Sequence, residues 1–86
     1  MNNTESIVKL EEDKVTFIGE VVCDGFLNLR SQPSLEGAVL RRLIPGTKVE
    51  CKNESSNWYR VWAADGLEGF CLKDYVFILS AVSKED

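Results

Sequence analysis

Three two-residue turn signals divide this chain into short segments that favour β-strands. Asp24-Gly25, Pro45-Gly46 and Asp65-Gly66 are pairs typical of tight turns. With the polar stretches 31–37 and 53–57, a turn falls every eight to twelve residues. The segments between are rich in β-branched and aromatic residues, and none has a helical period of adequate length. The pattern predicts five or six short strands in a small barrel or sandwich.

The chain is long enough for one small domain flanked by two short polar tails. It has 86 residues, a length at which only about 60% of the unfolded surface becomes buried. We expect an acidic N-terminal tail over 1–14, a folded domain over 15–79 and a C-terminal tail over 80–86. The domain contains 8 acidic and 7 basic residues, and the tails together contain 6 and 3. The net charge of -4 therefore belongs mainly to the ends, and it argues against general nucleic-acid binding.

Composition argues against an enzyme. The sequence has no histidine, which removes the commonest general base and the commonest metal ligand. It has no G-x-S-x-G segment. The domain's acids show no spacing that would mark two of them as a glycosidase pair. We therefore expect a protein without catalytic activity and without a cofactor.

The three cysteines do not form a metal-binding pattern. No two of the cysteines, Cys23, Cys51 and Cys71, form a C-x-x-C pair. A zinc site without histidine would need four thiolates, and the chain has three. We therefore expect no metal site. Two interpretations remain for the thiols: three small buried side chains in a reducing environment, or one disulfide with one spare thiol.

The sequence contains neither a membrane span nor a signal peptide pattern. No apolar stretch approaches the roughly 20 residues that a membrane-spanning helix requires, and the N-terminus lacks a basic segment followed by an apolar one. We expect a cytoplasmic or virion location if the chain is a whole protein, and the cell surface if it is part of an exported protein.

Several short motifs occur together in an order that is similar to the bacterial SH3 domain family. They are LNLRSQPS at 27–34, PGTKVE at 45–50, NWYRV at 57–61, GLEGF at 66–70 and DYV at 74–76. The resemblance covers roughly residues 18–79 and implies an all-β, SH3-like, partly open barrel of five to seven short strands. It also implies a non-catalytic binding module. Gln32 replaces the family's usual glycine, and Phe70-Cys71 stand where tryptophan and valine are common.

Two aromatic residues match the positions that line the ligand groove of eukaryotic SH3 domains. By resemblance these are Trp58 and Tyr75. Strand alternation places Trp58 and Arg60 on the face opposite Val61, which matches the family's core valine, and this turns Trp58 and Arg60 towards the predicted groove. Trp58 could line the groove, close the end of the barrel, or do both.

Asn28 and Arg30 complete the predicted groove. They alternate with Leu27 and Leu29 and therefore point away from the core. Arg30 could bind a ligand carboxylate or brace its own loop through backbone carbonyls. The pair Arg41-Arg42 is interpreted as a solvated turn.

These residues favour a module that recognises bacterial peptidoglycan, above all its peptides, through a shallow aromatic groove. The alternative is a protein–protein interaction or assembly module inside a cell or in a phage. A purely structural role is a third hypothesis. We expect a monomer whose partner is a wall peptide or another protein, with no nucleic acid bound.

Overall fold

The computed structural model describes residues 15–83 and shows an all-β domain of seven strands. A single 3-10 turn, Lys73–Tyr75, precedes the last strand. The predicted N-terminal tail, 1–14, lies outside the described residues. The strands are β1 (Val15–Val21), β2 (Leu27–Arg30), β3 (Val39–Leu43), β4 (Lys48–Asn53), β5 (Trp58–Trp62), β6 (Glu68–Leu72) and β7 (Val76–Ser83).

All seven strands belong to one antiparallel sheet with the order β3-β2-β6-β5-β4-β1-β7. Its central run, β6-β5-β4-β1, carries long continuous registers, whereas β2 meets β6 only at the pair Arg30 and Phe70. The small SH3-like fold predicted from the sequence is confirmed. The short β2–β6 junction places the end of β2 beside Phe70 of β6, whose neighbour on β5 is Arg60.

The three predicted turns are present, and each depends on its glycine. Gly25, Gly46 and Gly66 have φ angles of 93°, 91° and 93°, a left-handed conformation that glycine adopts without steric cost. The turns at Gly25 and Gly66 connect β1 to β2 and β5 to β6. The sequence signals therefore located the reversals of the chain correctly.

A single cluster of small and medium apolar side chains forms the core. The predicted inward pairs Leu27 with Leu29 and Val49 with Cys51 all belong to it. The alternation of buried and exposed residues in β2 and β4 arises because successive side chains of a strand point to opposite faces. The cluster comprises Val21, Leu27, Leu29, Leu43, Val49, Cys51, Val61, Cys71 and Val76.

Two segments differ from the sequence-based expectation. The last strand continues to Ser83 rather than ending at residue 79, because Ser80, Ala81 and Val82 extend the pairing with β1. Arg41 and Arg42 lie within β3 rather than in a turn. Both are exposed there, and β3 tolerates them because it is an edge strand with β2 as its partner.

The cysteines are free thiols in different environments. Cys51 and Cys71 are fully buried, and Cys23 is partly exposed. Burial raises the pKa of Cys51 to about 11. Burial, with a smaller contribution from Cys51, raises the pKa of Cys71 to about 12. Both buried thiols therefore remain protonated at neutral pH and pack as small apolar side chains.

Within residues 15–83 there is no helix long and apolar enough to span a bilayer. The same residues contain no group of three or more acidic or cysteine side chains placed to hold a metal ion.

Candidate functional site

A groove of about 400 Å³ lies between the β1–β2 turn, the long loop after β2 and the 3-10 turn. Four of the five residues predicted from the sequence line it: Trp58, Tyr75, Asn28 and Arg30. They come from three separate parts of the chain, and the β2–β6–β5 order of the sheet brings them together. The remaining lining residues are Cys23, Asp24, Phe26, Leu27, Leu35 and Leu72.

Trp58 lines the groove and is almost completely buried there. Trp58 is the first residue of β5 and pairs with Leu72 of β6. Only 8% of the surface of this residue is exposed. Of the two roles weighed from the sequence, groove lining is the one that its position shows, since the apolar cluster of the core does not include Trp58. A ligand can touch only the small exposed part of the indole, so Trp58 acts mainly as a rigid base for the groove.

Tyr75 supplies the exposed aromatic wall. It is the last residue of the 3-10 turn and is 42% exposed. Its backbone carbonyl accepts a hydrogen bond from the Val22 amide at 2.9 Å, which ties the turn to the end of β1. The phenol is thus presented to solvent from a backbone held at a fixed position, an arrangement suited to stacking on a flat ligand group.

Arg30 braces the long loop from within. Its Nη1 atom donates hydrogen bonds to the carbonyl of Leu35 at 2.9 Å and to that of Gly37 at 3.0 Å. The loop is closed further by the Ser31 amide, which donates to the Ala38 carbonyl at 2.8 Å. Of the two roles weighed for Arg30, bracing is the one its contacts show. The brace holds Leu35, which is 65% exposed, at the rim of the groove.

Asn28 is half-buried in the wall formed by β2. Its Oδ1 atom is buried without a hydrogen-bond partner among the described residues. Its partner across the β2–β3 ladder is Arg42, whose guanidinium lies 4.8 Å from the centre of the Phe26 ring. A buried acceptor without a hydrogen-bond partner lowers the free energy of unfolding. The Asn28 side chain is therefore expected to reduce the stability of the fold at this position.

Arg60 is the one predicted residue that lies away from the groove. It forms ion pairs with Glu54 and Glu68, and its guanidinium lies 5.2 Å from the centre of the Phe70 ring. The hydrogen bond that Arg60 donates to the Glu68 carboxylate is the main cause that raises the pKa of Arg60. This side chain reinforces the outer face of β4, β5 and β6 and does not join the other four.

Several lining residues of the groove were not predicted from the sequence motifs, and Phe26 and Leu35 are the clearest of them. Phe26 is 48% exposed directly after the first turn, and Leu35 is a single apolar residue inside a polar loop. No local signal distinguished the two, since single exposed apolar residues are common on protein surfaces.

Comparison with known proteins agrees with this geometry. The family model described as bacterial SH3 domain matches residues 25–77, which is more than half of the chain. No curated protein and no solved structure shows significant similarity to the chain. The matched range contains the whole long loop, β2 to β6 and the 3-10 turn, and the chain belongs to the bacterial SH3 domain family.

Proposed function

We propose that this chain is a non-catalytic binding module that recognises the peptide part of bacterial peptidoglycan. The supporting observation is the groove itself, which is lined by four residues predicted from the sequence: Asn28, Arg30, Trp58 and Tyr75. Members of the family are binding modules, and a groove of this kind suits a short extended ligand.

The groove offers a peptide both apolar contact and positional restraint. Tyr75 and Leu35 both line the groove and present exposed apolar surface, and the almost buried Trp58 indole lines it as well. Aromatic side chains give large contact area at little entropic cost. The contact area is small compared with the roughly 1,200 Å² or more of stable protein interfaces. We therefore expect modest affinity, which suits a module that acts beside other wall contacts.

A second candidate function is protein–protein interaction inside a cell or a virion. The observation that favours it is the three free thiols, two of them in the core. Free cysteines persist most readily in reducing compartments. In this case the same groove would hold an extended segment of a partner protein.

Titration of ¹⁵N-labelled protein with soluble peptidoglycan fragments tests the leading proposal. Saturable amide shifts are expected at Tyr75, Leu35 and the residues of the long loop. Tyr75→Ala and Leu35→Ser should each weaken binding about tenfold, because each removes an exposed contact without opening the core. Phe77→Ala is the matched control: Phe77 is 62% exposed on β7 and does not line the groove.

The outcomes separate the two candidates. Wall fragments from several species that cause no shift at millimolar concentration would contradict peptidoglycan recognition. If an extended partner peptide then shifts the same residues, the interaction module is the correct function.

A further inference from the structure

A second cavity, of about 430 Å³, lies on the outer face of the sheet and shares no lining residue with the groove. Its wall is a cross-strand ladder in which Trp62 of β5 pairs with Glu50 of β4, and Glu50 pairs with Ile18 of β1. Lys48 lines the same cavity. The site is therefore built on three adjacent strands in register, and the β5–β6 turn adds Ala63, Ala64 and Gly66 to its lining.

Trp62 is the one aromatic side chain among the described residues that line this cavity. Its burial is intermediate, so part of its surface remains exposed. It also borders a smaller cavity of about 330 Å³ on the side of Lys52 and Arg60. The small residues Ala63 and Ala64 lie beside it in the larger cavity, and small side chains there leave the space next to the indole open. The result is an aromatic surface that stands between two open cavities.

The polar groups of the cavity favour a neutral ligand. Lys48 and Glu50 are two residues apart on β4, so their side chains share the outer face. Their formal charges are opposite, and among residues 15–83 no further ionisable residue lines the cavity. A charged peptide terminus would gain little net attraction here. A ligand with one apolar face and several hydroxyl groups would match both the indole and the flanking ammonium and carboxylate groups.

We propose that the Trp62 cavity binds a sugar ring of a glycan. The apolar C–H face of the ring stacks on the Trp62 indole, and ring hydroxyls bind at Lys48 and Glu50. This ligand class and these residues differ from those of the groove. A wall polymer that carries both sugars and peptides would thereby engage two faces of the domain, and the two contacts would reinforce each other through their high effective concentration.

The two tryptophans of the chain make the test direct, because each site contains one of them. The two indole N–H signals of ¹⁵N-labelled protein are assigned with Trp62→Phe. The protein is then titrated with a soluble tetramer of N-acetylglucosamine. The Trp62 signal is expected to shift and saturate while the Trp58 signal stays in place. Trp62→Ala should weaken binding about tenfold or more, and Trp62→Phe, which keeps an aromatic face, should weaken it less.

Three outcomes would overturn the proposal: no shift of Trp62 at about 10 mM tetramer, a shift confined to Trp58, or unchanged affinity in Trp62→Ala. A proline-rich peptide that shifts Trp62 where the tetramer does not would assign the cavity to a protein partner instead. Thermal unfolding of Trp62→Ala and Trp62→Phe confirms that both variants are folded at the titration temperature.

The same spectra keep this inference distinct from peptidoglycan peptide recognition. Shifts at Trp58 and Tyr75 with wall peptides but none at Trp62 with the tetramer would overturn the glycan site alone. The reverse pattern would overturn the peptide proposal alone.

Discussion

The guanidinium of Arg30 is hydrogen-bonded to the carbonyl of Leu35, 2.9 Å away across the long loop. Since Leu35 forms the rim of the groove, this bond links the end of β2 to the shape of the binding surface. Arg30, for which the sequence suggests contact with a ligand carboxylate, thus contacts the backbone of its own loop.

Replacing Arg30 with methionine should loosen the loop and weaken ligand binding together. The variant keeps the apolar stem but loses both hydrogen bonds, and we expect the free energy of unfolding to fall by about 1 kcal/mol. Urea unfolding measures this change in stability. Hydrogen exchange at the Gly37 amide, which we expect to be faster in the variant, measures the loosening of the loop. Lys52→Met, which removes a cation from β4, is the control. Unchanged exchange at Gly37 would show that Arg30 does not hold the loop.

Gly69 is expected to be intolerant of any side chain. A Cβ atom there would lie 2.7 Å from the Arg30 carbonyl oxygen and 2.8 Å from Cγ of Leu29. Since one of these atoms is backbone at the short β2–β6 junction, relief requires the strands to separate. We expect Gly69→Ala to lower the free energy of unfolding by about 1–3 kcal/mol.

Gly19→Ala provides the comparison for that measurement. Its added Cβ atom would meet a side-chain atom, Cγ1 of Val76, at 2.6 Å. Val76 is β-branched and buried in the core, so this methyl group cannot turn away freely and we expect a loss of similar size. Chemical denaturation of the two variants in parallel tests this expectation, and an unchanged stability in either variant would contradict the close packing at that glycine.

The ion pair between Arg41 and Asp65 should make stability depend on acid pH. Arg41 donates two hydrogen bonds to the carboxylate, at 3.1 and 2.9 Å, and so ties β3 to the β5–β6 turn. The hydrogen bond from Arg41 is the main cause that lowers the pKa of Asp65. A carboxyl group whose pKa is lowered by folding stabilises the protein above its unfolded pKa, and this contribution disappears as the pH falls through the folded value.

Asp65→Asn should therefore be less stable than the parent protein at pH 7, and the difference should shrink as the pH falls below 4. Both side chains are largely exposed, so the difference should also shrink in high salt. Urea midpoints measured across this pH range test the expectation, with Glu36→Gln in the long loop as the control. A difference that is constant with pH would contradict a stabilising ion pair.

The thiols should react with a thiol reagent in two groups. Cys23 is partly exposed at the groove, whereas Cys51 and Cys71 are buried and have raised pKa values. At pH 8 we expect one fast equivalent from Cys23 and two slow equivalents limited by unfolding. Cys23→Ser should abolish only the fast phase. Two or more fast equivalents in the folded protein would contradict the burial of Cys51 and Cys71.

The same burial predicts a loss of stability in alkali. Well below pH 9, the ordinary pKa of a thiol, both thiols are protonated whether the chain is folded or not. As the pH rises from about 9 towards 11, the unfolded chain loses these protons while the folded protein keeps them, so the free energy of unfolding falls. Cys51→Ala should show a shallower fall over this range than the parent protein, as measured by urea denaturation at each pH.

Local sequence signals located the turns and the inward side chains accurately. The glycines of the three turn pairs have positive φ, and Leu27, Leu29, Val49 and Cys51 are buried as alternation predicts. These properties depend on a few neighbouring residues, so they are readable without knowledge of the fold. The continuation of β7 to Ser83 was not readable in this way, because it depends on pairing with β1 more than sixty residues earlier.

The sequence by itself determined the strand pattern, the family and four residues of the groove, since each follows from local alternation or from motif order. Only the tertiary structure decided what those residues do. Arg30 proved to brace a loop because carbonyls of that loop lie within reach of its guanidinium. Arg60 proved to lie outside the groove because Glu54 and Glu68 flank it on the outer face. The role of a long charged side chain depends on which partners the fold brings near it, and those partners come from distant parts of the chain.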